Sequence, residues 1–406
     1  MAGGKSRVYG YRWLLLAAFM LAVFMNQALW ITFAPITSVA AQAYATSDLM
    51  IALLSLCFMA VYIVLVLPAA WLIDTWGLRW SVTVGAALSG VFALTRGIFA
   101  SSFTLVLISQ IGIAVGQPLI LGAMTKLAAR WFRPEERATA TGLGTLAIYL
   151  GVLASLIVTP ALVDRFGLHG MLLDCGAAGV VAAVIFALLG RERPRTPASA
   201  ESDDRTRMFD GLKSMMRNPD FLRLLVIFFV GLGMFNGIST WIEDIVKPRG
   251  FTTGQAGLAG GIMLGGGILG AVALPLISDG RRRRKPFVIL ALAALLPGLV
   301  GLTFAATPWL LYASAALFGF FLLSAGPIGF QYGAEITVPA PEGTSNSMLL
   351  VMGQVSGIAF ILLMDALRGP DGAMTPSLLG FVVLTVICLV LSLFLGESPI
   401  RDSRGR

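Results

Sequence analysis

Charged side chains are scarce in this sequence: Asp, Glu, Lys and Arg make up 12% of its 406 residues, while 57% are hydrophobic. Ordinary soluble domains carry roughly 25% charged residues. Because so few polar groups could not cover a surface in contact with water, the composition excludes a soluble enzyme and a disordered or fibrous chain. The apolar runs are continuous and do not alternate, which predicts helices and not an outer-membrane barrel. We therefore expect an all-α integral membrane protein.

Residues that carry catalysis or bind metals are also sparse. The chain has one histidine, His169, and three cysteines, which lie inside apolar runs without metal-ligand or disulfide spacing. It lacks the Gly-x-x-x-x-Gly-Lys-Ser/Thr phosphate loop, and no nucleophile–base pair stands out. These absences predict no catalytic residues, no metal and no cofactor. They also argue against an enzyme and against ATP-driven transport by this chain.

The apolar runs are long enough to cross a bilayer, for which a helix needs about 20 residues. Turn residues and charges between the runs predict twelve membrane-spanning helices. Their approximate bounds are 13–34, 50–73, 80–95, 103–128, 139–162, 169–189, 222–246, 255–278, 287–305, 309–334, 345–366 and 376–395.

Lysine and arginine are distributed unevenly among the predicted loops. With the N-terminus inside, the outer loops hold five of the 29 basic residues, which leaves 24 for the cytoplasmic side (29 − 5). Because cytoplasmic loops carry an excess of Lys and Arg, we expect both termini to face the cytoplasm of a plasma, or bacterial inner, membrane. The same excess accounts for the net charge of +8 without nucleic acid as a partner.

One long polar segment separates the first six predicted helices from the last six. It begins with Arg-Glu-Arg-Pro-Arg at position 191 and continues through Pro, Ser and Asp, which is typical of a flexible linker. Within it, 207–217 places apolar side chains on one helical face and predicts a short helix on the inner membrane surface. We predict an N-terminal six-helix bundle over 1–189, a cytoplasmic linker over 190–220, and a C-terminal bundle with its tail over 221–406.

The two halves are weakly similar to each other. The matching segments are 74–79 with 279–285, at the ends of the second and eighth predicted helices, and 26–30 with 236–241, in the first and seventh. Two six-helix halves with a parallel repeat resemble the major facilitator fold of secondary transporters. This resemblance implies a solute cavity between the halves, near midspan.

The segment from Ala70 to Arg79 resembles the loop signature of major facilitator transporters, Gly-x-Leu-Ala-Asp-Arg-x-Gly-Arg-Lys, with alanine at the first glycine. A carboxylate at a helix C-terminus, such as Asp74, needs a cation or another helix N-terminus to offset its charge. Such a partner can lie in the other half and hold the inner gate shut, although an ordinary solvated loop charge is the alternative. The residues assigned to gating are Asp74, Gly77, Arg79 and Asp279.

The polar side chains expected near midspan are neutral. They are Asn26, Gln27, Trp30, Gln117, Asn236 and Gln354. Amides are costly in hydrocarbon unless they bond to another helix or face a wet cavity. Trp30 is either an interfacial anchor or, with Asn26 one turn away, a cavity wall. An aromatic face beside neutral amides, with no acid nearby, suits a quaternary ammonium group, because such a cation needs no hydrogen bonds.

Several stretches resemble the feline leukaemia virus subgroup C receptor-related transporters, solute carrier family 49. These stretches are Tyr62–Arg79, Ala114–Gly142 and Gly329–Asn346, together with the first-helix segment from Asn26 to Trp30. The family is associated with choline and ethanolamine transport, and members have been linked to haem export. The resemblance therefore implies a transporter of small organic solutes.

The resemblance also implies a choline site built from a first-helix Trp, a seventh-helix Tyr and Gln residues on the fourth and eleventh helices. By position, these correspond to Trp30, Gln117 and Gln354. The tyrosine position is Asn236 here, with Phe235 beside it, so one wall of the cage is an amide unless Phe235 turns inward.

The leading hypothesis is a secondary transporter that moves a small amine or quaternary ammonium solute by alternating access and works as a monomer. Because no carboxylate is expected at midspan, facilitated diffusion is favoured over proton coupling. The alternatives are an organic-anion or drug transporter, proton- or exchange-coupled and with an anion anchor at Arg96 or Lys126, and a receptor that binds solute without moving it. The expected partners are the small solute and the lipid bilayer.

Overall fold

The computed structural model describes residues 10–192, 215–337 and 342–398. These ranges are helical and contain no strand. The chain divides into two compact units, Met1–Ser202 and Asp203–Arg406. The predicted surface helix over 207–217 lies almost entirely outside the described residues.

Unit 1 is built on two very long helices. Its elements are α1 (Tyr11–Ile31), α2 (Thr37–Tyr44), α3 (Asp48–Ile98), α4 (Phe103–Leu121), α5 (Met124–Trp131) and α6 (Pro134–Leu189). The helix α3 packs against α4 and α6, and α1 packs against α6. Ser47 starts α3 by accepting a hydrogen bond from the backbone N–H of Met50 at 3.3 Å, as an N-cap does.

Single glycines break both long helices. Gly77 interrupts α3 with φ 87° and ψ 174°, and Gly167 interrupts α6 with φ 68° and ψ 174°. Both breaks fall in predicted loops. An unbroken α-helix of the 51 residues in α3 would be about 76 Å long, more than twice the ~30 Å hydrocarbon core. Each long helix therefore consists of two limbs, called here its first and second limb.

Unit 2 has shorter helices. They are α7 (Pro219–Thr240), α8 (Ile242–Val246), α9 (Thr253–Arg281), α10 (Lys285–Phe304), α11 (Pro308–Ile336), α12 (Glu342–Ala366) and α13 (Thr375–Leu393). The sequence predicted one helix over 222–246, but α7 ends at Thr240 and a separate short helix follows Trp241. A capping box starts α9, because Thr252 and Gln255 each bond the other's backbone N–H, at 2.9 and 3.2 Å.

Residues 254–270 of α9 are rich in glycine, and this stretch packs closely against a neighbouring helix. It lies against α11, where a Cβ at Gly319 would collide with the carbonyl of Met263, and one at Gly270 would collide with the carbonyl of Phe320. Small residues allow the two helix backbones to touch.

Ten helical segments in the described ranges are long and apolar enough to cross a membrane. Two of the ten, 48–98 and 139–189, contain 51 residues each and the glycine breaks described above. The all-α membrane fold is therefore confirmed. Twelve crossings remain a prediction, which requires that each limb of α3 and α6 crosses once.

Candidate functional site

Trp30 lies in the last turn of α1 and is 7% exposed. Its indole nitrogen Nε1 donates a hydrogen bond to the backbone carbonyl of Ser55, in the first limb of α3, at 3.2 Å. An interfacial tryptophan offers this N–H to water or headgroups, as the 79%-exposed Trp309 can. Because the N–H of Trp30 is bonded inside unit 1, it is not offered to water or headgroups as that of an interfacial anchor would be.

Two amide side chains of the predicted site lie in unit 1, Asn26 one turn before Trp30 on α1 and Gln117 on α4. Asn26 is fully buried, and its Nδ2 donates to the hydroxyl of Ser89 at 3.1 Å. Gly116 packs so tightly that a Cβ there would lie 2.6 Å from the same hydroxyl. This packing brings the next residue, Gln117, into the same part of unit 1 as Asn26. The Gln117 side chain is 7% exposed and bonds to no residue in the described part of the chain.

A buried polar pair holds the backbone of α1 at Trp30. Gln110, on α4, donates through Nε2 to the carbonyls of Leu54 at 3.0 Å, Leu29 at 3.3 Å and Trp30 at 3.4 Å. Its Oε1 accepts a 2.6 Å hydrogen bond from Arg96, which is fully buried. The last carbonyls of a helix lack partners within the helix. Gln110 and Arg96 are the partners of these carbonyls, since Arg96 also donates to the carbonyl of Leu29 at 3.3 Å. Residues of α3 and α4 therefore fix the position of Trp30.

In unit 2, Asn236 bonds to the residue that precedes Gln354. Asn236 is buried on α7, and its Nδ2 donates to the backbone carbonyl of Gly353 on α12 at 3.1 Å. Gln354 is the next residue; it is half-buried and, like Gln117, bonds to no described residue. Phe235, predicted as an alternative wall, is buried beside Asn236. The predicted residues thus form one set in each unit.

The loop signature of unit 1 has partners within its own unit. Asp74 pairs with Lys126 at 3.2 Å, and the ammonium of Lys126 also donates to the carbonyl of Ile73 at 2.6 Å. At Gly77 a Cβ would collide with the carboxylate of Glu192. The positive φ and this contact together require glycine.

Glu192 follows the last helix of unit 1 and closes this loop. Its Oε2 accepts from the backbone N–H of Arg79 at 2.8 Å, at the start of the second limb of α3. Its Oε1 pairs with Arg130 at the end of α5. A carboxylate is favourable at a helix N-terminus, where backbone N–H groups are unpaired and the macrodipole is positive.

The loop signature of unit 2 is organised by Arg284. Its guanidinium pairs with Asp279, and it donates to Glu335 through Nη2 at 3.0 Å and Nε at 3.2 Å. Burial opposes this charge, but the hydrogen bonds to Glu335 and Asp279 outweigh burial and raise the pKa of Arg284 above its usual value. The backbone N–H of Arg284 donates to Glu397 at 2.8 Å.

The two networks repeat at a constant spacing of 205 positions (279 − 74). The matching pairs are Asp74 with Asp279, Gly77 with Arg282, Arg79 with Arg284, Arg130 with Glu335, and Glu192 with Glu397. The carboxylate on the helix N-terminus is the same in both units. The side-chain pair is inverted, since Arg130 of unit 1 is replaced by Glu335 in unit 2.

The sequence reading overlooked two buried carboxylates. Glu243 and Asp244 lie in α8, directly after Trp241, and are 1% and 7% exposed. Asp244 accepts from Arg368 at 3.0 Å, and this guanidinium also lies 5.0 Å from the ring of Trp241. Both acids lie inside the predicted membrane helix 222–246, and charged residues within such a helix are rare, so their position in the sequence could have revealed them as buried carboxylates. The described residues contain no group of acids, histidines and cysteines that could hold a metal.

The two expected anion anchors are both engaged within unit 1. Arg96 is fully buried, bonds to Gln110 and lies 5.3 Å from the ring of Phe33. Lys126 is held by Asp74 and the carbonyl of Ile73. This geometry gives no support to an anion anchor at either residue.

Comparison with known proteins decides the family. The sequence profile of the Major Facilitator Superfamily matches residues 19–361. The chain belongs to the Major Facilitator Superfamily. It is a multi-pass membrane transporter of small molecules, and both the fold class and the resemblance read from the sequence are confirmed.

Within the superfamily, the relatives show that the chain belongs to solute carrier family 49. The chain is 31% identical to solute carrier family 49 member A3 of Danio rerio over 391 residues, which cover 92% of this chain and 82% of that protein. It is 27% identical to the human choline/ethanolamine transporter FLVCR2, over 86% of this chain and 71% of that protein.

Solved structures agree on the fold. A bacterial homologue of the human lysosomal transporter Spinster, inward-facing and unoccupied, matches with a TM-score of 0.78 at 17% identity, covering 97% of this chain and 98% of that one. A D-xylose–proton symporter matches with a TM-score of 0.77 at 14% identity, covering 95% and 98%. At these identities the likeness concerns the fold alone.

Proposed function

We propose that this superfamily member transports a small amine or quaternary ammonium solute by alternating access. The observation that carries the proposal is the environment of Trp30. Its N–H is bonded to Ser55 inside unit 1, so the ring can offer only its π-face. A cation without hydrogen-bond donors, such as a tetraalkylammonium, is the ligand that this face binds best.

The amides of Gln117 and Gln354 suggest a second property of the solute, a group that can form hydrogen bonds. Gln117 and Gln354 bond to no described residue, and a buried amide without a partner is unfavourable. Each can accept and donate hydrogen bonds, so a hydroxyl on the solute would satisfy them. The human relative named as a choline/ethanolamine transporter is consistent with such a solute. We assign Trp30, Asn26 and Gln117 of unit 1, and Asn236, Phe235 and Gln354 of unit 2, as candidate solute contacts.

The test is binding and uptake of choline, ethanolamine, tetramethylammonium and a monocarboxylate by purified protein in proteoliposomes. Trp30→Ala should weaken binding of the cations about tenfold or somewhat more, because a desolvated cation–π contact is worth ~1–2 kcal/mol. Trp30→Phe keeps an aromatic face and should weaken it less. Trp309→Ala, which removes an exposed tryptophan, is the matched control and should leave the dissociation constant unchanged.

The amides predict selectivity. Gln117→Ala and Gln354→Ala should weaken binding of choline more than that of tetramethylammonium, since only choline has a hydroxyl. Equal affinities for wild type and folded Trp30→Ala would refute the cation–π site. Uptake of the monocarboxylate alone would favour the anion transporter, and binding without uptake would favour a receptor.

The proposed orientation places both termini in the cytoplasm of the plasma, or bacterial inner, membrane. It rests on the excess of Lys and Arg in the loops assigned to that side. Cysteines introduced at Ser199 and Arg406 should react with an impermeant thiol reagent only after the membrane is permeabilised. Labelling of both in intact cells would reverse the orientation.

A further inference from the structure

Five consecutive basic residues, 281–285, join α9 to α10. Only three of them, 282–284, separate the two helices, and both helices are candidate membrane spans. A connection this short cannot leave the membrane surface. The basic side chains therefore lie at the level of the phospholipid headgroups.

The run divides into two groups by environment. Arg284 is buried and takes the carboxylates of Asp279 and Glu335, as described above. Arg281, Arg282 and Arg283 are exposed, and none of them pairs with a carboxylate in the described part of the chain. The nearby carboxylate of Asp279 is already paired with Arg284. Much of the positive charge of these three guanidinium groups is therefore uncompensated.

The turn that carries these arginines is fixed. Arg282 adopts the left-handed conformation, with φ 51°, and its N–H donates to the carbonyl of Asp279 at 3.1 Å. The N–H of Arg283 donates to the carbonyl of Ser278 at 3.3 Å, and the hydroxyl of Ser278 donates back to the carbonyl of Arg283 at 2.6 Å. A fixed backbone lowers the entropy lost when the side chains bind a ligand.

An apolar stripe on α9 leads to this turn. Leu269, Val272 and Leu276 are all exposed, and their spacing of three and four residues places them on one face of the helix. Exposed aliphatic side chains inside a membrane span contact acyl chains. The stripe and the arginine turn together offer an apolar surface that ends in positive charge.

The corresponding segment of unit 1 lacks the charge. Its equivalent stripe, again 205 positions earlier, is exposed Val64, Leu67 and Trp71. The residues that correspond to Arg281–Arg283 are Trp76–Leu78, and they are neutral. Unit 1 nevertheless forms the equivalent contact between a carboxylate and the start of the next helix, so this contact does not require arginine at the three positions, and the exposed arginines are a feature of unit 2 in their own right.

We propose that the arginine turn and the stripe bind an anionic phospholipid. The phosphate accepts hydrogen bonds from Arg281, Arg282 and Arg283, which suit its oxygens as planar, always charged donors. An acyl chain lies along the stripe from Leu276 to Leu269. The stripe distinguishes a lipid from free phosphate, because only the lipid has a chain to place there.

The test measures thermal unfolding of the full-length protein in neutral detergent as phospholipid is added. Phosphatidylglycerol should raise the unfolding temperature in a saturable way, whereas phosphatidylcholine and inorganic phosphate should raise it much less. The double variant Arg282→Gly, Arg283→Gln should bind phosphatidylglycerol roughly 10- to 30-fold more weakly, because each basic residue near an anionic headgroup contributes about one factor of five. Glycine fits the positive φ at 282, so this variant keeps the turn.

The matched control is Arg165→Gln, Lys247→Gln, which removes the same charge from two exposed residues in other loops. It should bind phosphatidylglycerol like wild type. Equal weakening in the control and in the turn variant would show a net-charge effect and overturn the site. A response to inorganic phosphate as large as that to phosphatidylglycerol would show an anion site that needs no lipid, and would also overturn the proposal.

Discussion

Arg283 and Arg284 are neighbours of the same type in opposite environments, which permits a sharp stability test. The perturbation is Arg284→Gln, with Arg283→Gln as its control. Arg283 is exposed and its side chain makes no ion pair with a described residue. Arg284 has a side chain that is only 10% exposed, and its partner Glu335 is 4% exposed.

The magnitude follows from this burial. Removing one partner of a buried ion pair leaves the other charge uncompensated, which costs about 3–5 kcal/mol. The remaining donors to Glu335, Gln331 at 3.0 Å and Ser398, carry no charge and do not replace Arg284. For a unit of this size, about 2–4 °C is lost per kcal/mol, so Arg284→Gln should lower the unfolding temperature by about 6–20 °C.

The two acids of Arg284 should contribute unequally. Asp279 has a side chain that is 59% exposed, and exposed pairs are worth about 0–1 kcal/mol, so Asp279→Asn should have a small effect. Glu335→Gln should cost nearly as much as Arg284→Gln. Because both variants break the same interaction, the double variant should be less destabilised than the sum, with a coupling free energy of about 1–3 kcal/mol.

The pH dependence gives an independent check. The pKa of Arg284 is higher in the folded protein than in the unfolded chain. The stability that Arg284 contributes is therefore fully present below the unfolded-state pKa, and it is lost only as the pH rises through the higher folded-state pKa. Between pH 6 and 9 the guanidinium stays charged. The contribution of Arg284 to the stability of wild type should therefore not change over this range.

The assay is thermal unfolding of purified protein in neutral detergent without added phospholipid, followed by intrinsic fluorescence or light scattering. Arg283→Gln should stay within about 0.5 kcal/mol of wild type, as surface substitutions usually do. Equal unfolding temperatures for Arg283→Gln and Arg284→Gln would refute the reasoning. Additive effects of Arg284→Gln and Glu335→Gln would refute the direct pairing.

Three further predictions concern the loops and the coupling. Asp74→Asn should slow transport while changing solute affinity less than twofold, because Asp74 pairs with Lys126 of α5 and the loss of its charge should shift the population of gate states; normal transport with a several-fold change in affinity would contradict a gating role. Gly77→Ala should lower stability by about 2 kcal/mol or more, since it adds a Cβ at positive φ against a carboxylate. Arg282→Gly, at the equivalent position and also at positive φ, should be neutral or stabilising. Similar shifts in unfolding temperature for both variants would refute the role of positive φ. Uptake at zero membrane potential should vary little between pH 6 and pH 8, and a steep dependence would direct attention to the carboxylates of α8.

The sequence was sufficient for the fold because a membrane imposes simple rules on composition. Apolar run length, loop charge and the repeated Asp-plus-basic segment together predicted an all-α transporter fold. One departure was at Trp241, where one predicted helix became two, and the predicted helix over 103–128 is likewise divided into α4 and α5. Nothing in the apolar pattern marks the break at Trp241, because Ile242, Ile245 and Val246 continue the hydrophobic run after it.

The candidate site was less accessible to sequence reasoning, because its contacts join distant parts of the chain. Trp30 was identifiable from its residue type and its position in a helix. Its support from Gln110 was not, since three backbone carbonyls accept from this side chain and a backbone carbonyl leaves no trace in the sequence. Glu192 and Glu397 follow the last helix of each unit, 113 positions after the N–H groups of Arg79 and Arg284 that they bind (192 − 79).

Comparison of the two loop networks shows which requirement of the loop is strict. Both units place a carboxylate, Glu192 or Glu397, on the backbone N–H at the start of a helix. That acceptor cannot change sign, because an N–H group is always a donor and the helix N-terminus is always positive. The side-chain pair has no such constraint. Arg130 binds Glu192 in unit 1, whereas Glu335 binds Arg284 in unit 2, so the positions of the acid and the base are exchanged between the units. The contact between a carboxylate and the helix N-terminus is thus shared by the two units. The side-chain charges around it, including those of the exposed Arg281, Arg282 and Arg283, are where each unit can acquire a property of its own.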